Sequence, residues 1–259
     1  MHFNFGFTTV QTVWTLTFAA LLVLLVVLLG RDRARRFPWF TASIVLVALR
    51  LLASRLLFGK MPPLTMNAIF ITMADAIALV GLLVVVEMAR RAFGGLQRQL
   101  WIVNSVGLLA VAGAVLAVWG PWPAWKTLTA DSHLAALRLM QLVAQKTDLL
   151  VLMLTLGLGL AVILFGRRYK AGWRSHTQRV VIGLSTAAIG QLALLIALER
   201  MAKMAAPHNQ AELDHLLSMR DNLVNANSVI YVAVLVWWIV CLWIDEPGAK
   251  NDAPQVPAE

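Results

Sequence analysis

Seven apolar runs, each about 20 residues long, divide this chain at 9–30, 38–58, 63–89, 100–119, 145–166, 179–199 and 224–244. A run of that length crosses a ~30 Å hydrocarbon core as an α-helix and is roughly twice as long as a membrane β-strand needs to be. In lipid each backbone amide must find its partner inside the segment, and a helix does this by itself. The breaks between runs are short, so no soluble domain of useful size fits between them. The fold expected is therefore an all-α membrane protein: a single domain of seven transmembrane helices over 1–244, followed by a disordered cytoplasmic tail, 245–259, rich in proline and polar residues. Composition agrees, because a chain with 60% hydrophobic and 14% charged residues has too little polar surface to be soluble as a globule.

Basic residues set the expected orientation. The segments 31–37, 90–99 and 167–179 hold Arg31, Arg33, Arg35, Arg36, Arg90, Arg91, Arg98, Arg167, Arg168, Lys170, Arg174 and Arg179. Cations concentrated in short loops mark the cytoplasmic side, which leaves the N-terminus outside and the C-terminus inside. No Lys or Arg precedes the first run, and the basic cluster RDRARR follows it, so the run reads as a retained span rather than a cleaved signal. Trp39, Trp101, Trp173 and Trp243 then fall at the inner boundary, and Trp119, Trp122 and Trp125 at the outer one. The net charge of +9 is a topology signal and an attraction to anionic lipid; nucleic acid is not an expected partner.

Two outer segments are more than loops. From Asp131 or Ser132 no Gly or Pro interrupts the chain until Gly157, so the fifth span should start above the membrane, with Arg138, Gln141, Gln145, Asp148 and Thr155 along one face. After Pro207, Asn209 and Glu212 fit a helix-capping pattern. His215, Ser218, Asn222 and Asn225 continue that helix toward the seventh span, whose outer end also carries Asn227 and Ser228. Both segments are expected to extend their spans as amphipathic helix on the outer side.

The ionisable positions within the spans are few: Arg50 and Arg55 in the second, Asp75 in the third, with Glu87 and Glu199 near span ends. At a rise of ~1.5 Å per residue, Arg50 lies ~12 Å and Asp75 ~18 Å below the outer boundary, about one helical turn apart on consecutive helices. A buried ion pair is expected, serving either the packing of spans two and three or a site. Arg55, only ~5 Å deep, can reach the headgroups. With Asp148, Gln191, Asn225, Asn227 and Ser228, the pair would line a polar cavity in the outer half, a shape suited to a small ligand.

Other chemistries find no residues. No lysine lies deep in a span, Lys146 standing at the very start of the fifth, which removes a retinal Schiff base, and all five histidines lie outside the spans, which removes bis-histidine haem and a histidine-ligated intramembrane zinc. The lone Cys241 excludes an internal disulfide and a CxxC motif. His208, Glu212 and His215 have helical spacing for a metal but form no complete set of ligands, and no phosphate loop, nucleophile elbow or HExxH motif occurs. Neither a cofactor nor an enzymatic activity is expected.

These features suggest a receptor-like or sensory module that binds a small ligand from outside and meets a cytoplasmic protein or anionic lipid through its basic loops. Span number and orientation are similar to those of G-protein-coupled receptors and bacterial seven-helix sensors, in topology alone. Met88-Ala89-Arg90-Arg91 stands where the receptors carry Asp-Arg-Tyr, and the seventh span has no Asn-Pro-x-x-Tyr. The alternatives are a transporter or channel subunit using Arg50 and Asp75, and a membrane scaffold or assembly factor. Compact loops and the lack of disulfides place the chain, as an expectation, in a bacterial plasma membrane.

Overall fold

The computed structural model describes residues 9–57, 59–93, 133–165, 175–203 and 210–245, with separate positions between 107 and 118. Seven helices are complete within these ranges: α1 (Thr9–Gly30), the single-turn α2 (Arg33–Arg36), α3 (Pro38–Leu57), α4 (Pro63–Ala92), α5 (His133–Phe165), α6 (His176–Ala202) and α7 (Gln210–Trp243). All but α2 are long and apolar enough to cross a membrane, so the described residues hold six candidate spans. The span expected at 100–119 lies almost wholly outside the described residues; its described positions are helical, and the Lys146 ammonium donates to the Leu116 carbonyl at 3.4 Å. The tail expected at 245–259 lies, after Asp245, outside them as well.

Helix ends follow local chemistry. Prolines open α3 and α4, where a missing amide proton costs nothing. Ser175 caps α6, its Oγ accepting from the Gln178 amide at 3.3 Å. At the start of α3 the cap comes from another helix: buried Glu87 of α4 accepts from the Phe40 amide at 3.1 Å and lies 3.6 Å from Arg91. That amide belongs to the first turn, which has no partner within its own helix.

Two helices are extended where the sequence suggests it. α5 begins at His133 and runs 33 residues; α7 joins the amphipathic segment from 210 to the seventh span in one helix of 34 residues. At ~1.5 Å per residue α7 is ~51 Å long, well over the ~30 Å of a hydrocarbon core. No Gly or Pro occurs within 210–243, so nothing breaks the helix where its polarity changes.

Chain order is also packing order. Among the described residues α1 packs on α3, α3 on α4, α4 on α5, α5 on α6, α6 on α7, and α7 returns to α1, which closes a ring of six helices. Val26 and Leu29 of α1, Leu79 of α4 and Leu160, Ile163 and Leu164 of α5 are exposed, an apolar belt consistent with contact with a lipid bilayer. Contacts at one end involve the C-termini of α1, α4 and α7 and the N-termini of α3 and α6. There Asp245 accepts from Arg33 at 3.1 Å and lies 3.6 Å from Arg31, whose guanidinium stands 4.7 Å over the Trp243 ring. This arginine-rich end is hereafter the basic end.

Just inside it, the ring is filled. Trp238 of α7 is 2% exposed, meets Phe40 of α3 edge-on at 5.0 Å and donates its indole proton to the Val180 carbonyl of α6 at 3.3 Å. Leu24, Leu28, Met88, Leu158, Val162, Leu235 and Leu242 complete the plug around it. Gly183 lets the indole in, since a Cβ there would overlap Trp238 Nε1. Close approach over small residues is a common way for membrane helices to associate. Gly183→Ala should therefore cost about 1–3 kcal/mol by overpacking, read as a lower Tm in detergent or nanodiscs. Gly30→Ala, with nothing within 4 Å of the added methyl, should leave Tm close to wild type.

Candidate functional site

Beyond the plug, toward the other end, the ring encloses a cavity of about 750 Å³ to which all six long helices contribute. α1 supplies Val13, Trp14 and Thr17; α3 and α4 supply Leu51 and Ile77; α5 supplies Asp148, Val151, Leu152 and Thr155. α6 presents Leu184, Ala187, Ala188 and Gln191, and α7 presents a column from Asp221 through Asn225, Asn227 and Ser228 to Tyr231. Its deepest residues, Thr155, Leu184 and Tyr231, adjoin the plug. Its rim reaches the exposed Asp221, which lies 3.1 Å from Arg220. The wall is mostly apolar with polar groups at a few points, and the volume lies in the range of small-molecule pockets.

Five candidate residues from the sequence, Asp148, Gln191, Asn225, Asn227 and Ser228, meet in this wall. Asn227 Nδ2 donates to Gln191 Oε1 at 3.1 Å, an amide pair that ties α7 to α6. Gly190 makes room for it, because a Cβ there would sit 2.9 Å from Asn227 Oδ1. The Ser228 hydroxyl turns back to the Val224 carbonyl at 2.9 Å. Asp148 is open to the cavity and, among the described residues, makes no hydrogen bond or ion pair.

Arg50 and Asp75 are different. Neither lines the cavity, and no ion pair joins them. The electrostatic partner of Arg50 is Asp148 on α5, which it acts on without contact. Counting residues estimates depth, but azimuth decides contact. On α3, Ala48 and Leu51 face inward, and at ~100° per residue Arg50 is turned away from both and is exposed. Asp75 is half-buried, two residues from the inward Ile77 and so on another side of α4. Arg55 is exposed near the end of α3, in keeping with its shallow depth.

The outer stripes are also only partly in the wall. Arg138, Gln141 and Gln145 share a face with Asp148 but are exposed beyond the cavity, as are His215, Ser218 and Asn222 on α7. Of the weak metal candidates, Glu212 and His215 are exposed and His208 lies outside the described residues. Among the described residues no three His, Cys, Asp or Glu side chains are grouped to hold a metal ion. Trp14, Thr17, Asp221 and Tyr231 were not singled out as candidates. Their signal was spacing: Trp14 and Thr17 are three apart, and Asp221, Asn225, Ser228 and Tyr231 follow at four, three and three, one helical face.

No protein-family model, curated protein or solved structure matches this chain. Among the described residues the wall offers a carboxylate without a hydrogen bond or ion pair, an amide pair, hydroxyls and aromatic rings, which is equipment for holding a molecule. A double-mutant cycle on Asn227→Ala and Gln191→Ala should give a coupling of about 0.6 kcal/mol in unfolding free energy, typical of interhelical hydrogen bonds in membranes. A coupling of zero would mean that the amide pair does not tie the two helices.

Proposed function

We propose that this integral membrane protein is a receptor-like or sensory module whose cavity binds a small ligand from the outer face, and that its role is binding rather than catalysis. The observation that carries this reading is the shape of the lumen. It carries polar groups at several points, opens toward the end opposite the basic end, and stops on the apolar plug around Trp238. A transport path needs a polar route past that plug, and Leu24, Leu28, Leu158, Leu235 and Leu242 leave none at its centre. The positive-inside rule supports placing the basic end in the cytoplasm, where it would meet anionic lipid or a protein partner that carries the signal onward. A bacterial plasma membrane is the setting we favour, with the chain crossing it several times.

Ser228→Trp, which sets an indole into the lumen, provides the test. Small molecules that raise the Tm of the wild-type chain in nanodiscs should lose that effect in the variant. At one hundred times its Kd, a bound ligand adds about 2.7 kcal/mol of stability, an easily measured shift. Protein-dependent ion flux into proteoliposomes, blocked by the same substitution, would contradict the reading and favour transport.

A further inference from the structure

The charge on the cavity wall narrows what the cavity can hold, if the reading of it as a ligand site is correct. Among the described residues two carboxylates line it, Asp148 and Asp221, and no Lys, Arg or His does. Asp221 stands at the rim and is already held by Arg220 at 3.1 Å. Asp148 stands deeper, beside Val151 and Leu152, with neither a hydrogen bond nor an ion pair among the described residues. Arg50 acts on it through space without occupying either oxygen. A carboxylate that faces the cavity with both oxygens uncontacted among the described residues is placed to receive a cationic group.

The rest of the wall suits the remainder of such a molecule. Trp14 and Tyr231 offer aromatic rings, which attract organic cations, and the apolar side chains between the polar points favour a hydrocarbon body. An anionic ligand would meet the Asp148 charge with no cation in the described wall to offset it. Arg50 repels a bound cation too, but Coulomb energy falls with distance, and an ammonium in contact with Asp148 gains more than the more distant guanidinium removes. We propose that the cavity takes a small organic cation, an amine or quaternary ammonium with an apolar body, whose charged head sits on Asp148.

Three probes of matched chain length test this by titration calorimetry on the full chain in nanodiscs of zwitterionic lipid: hexyltrimethylammonium, hexanol and hexanoate. The wild-type chain should bind the cation about tenfold tighter than the alcohol, the size expected for one charge-assisted contact, and hexanoate weakest of all. Asp148→Asn should remove the preference for the cation over hexanol. Ser228→Trp should weaken all three. Equal binding of hexanoate and the cation by the wild type would overturn the proposal, and that comparison decides alone if Asp148→Asn does not fold. Cation affinity unchanged in a folded Asp148→Asn would also overturn it. Failure of every probe to bind, or binding unaffected by Ser228→Trp, would sink both the proposal and the cavity reading on which it rests. Binding without charge preference would sink the proposal alone.

Discussion

The packing of Trp238 governs the rest of this molecule. One indole on α7 touches the Phe40 ring of α3, bonds to the Val180 carbonyl of α6 and occupies the space that Gly183 leaves empty. Trp237 and Arg179 reinforce the same contact: the Trp237 indole donates to the Arg179 carbonyl at 3.2 Å, and the Arg179 guanidinium donates to the Cys241 carbonyl at 3.2 Å. Large aromatic surfaces in apolar surroundings, with their polar atom satisfied, are strong and rigid packing elements. Here they hold the final helix of the ring against α6 and, through Phe40, against a helix across the ring. With that end of the ring filled, the polar-lined cavity lies toward the other.

This division explains where the polar side chains sit. In hydrocarbon an isolated carboxylate at mid-span costs roughly 2.5–3.5 kcal/mol even on insertion scales, whereas at the wall of a wet lumen it keeps part of its hydration. Asp148, Asn225, Asn227 and Gln191 occur in the half of the ring that is hollow. In the filled half two polar side chains instead serve helix ends. Glu87 caps α3, and Ser175 caps α6. The same residue classes thus do different work at the two ends, and the plug is the boundary between them.

Much of the architecture was legible in the sequence, because length and apolarity are one-dimensional properties. Six of the expected spans coincide with helices, and the absence of Gly and Pro between 210 and 243 announced the unbroken α7. Several cavity residues could be found because Gln191, Asn227 and Ser228 are polar in a mostly apolar context. What a linear reading could not give was rotation about each helix axis. Arg50 and Asp75 are similar in depth yet turned apart, while Arg50 acts on Asp148, a residue almost a hundred positions on in the chain. Trp14 and Thr17 were hidden for a related reason: within an apolar span they fit a lipid-facing surface as well as a lumen, and only ring closure through α1 and α7 separates the two.

The central claim is a lumen open at one end and dry at the other, and two-sided thiol labelling tests it most directly. Asn225→Cys in the cavity wall and Leu158→Cys in the plug would each be exposed to a membrane-impermeant maleimide from one face of the bilayer at a time. The native Cys241, buried at 6% exposure, serves as an internal control. The account predicts rapid labelling at 225 from the face opposite the arginine-rich loops, and none at 158 or 241 from either face. Labelling at 225 from both faces, or any rapid reaction at 158, would contradict it.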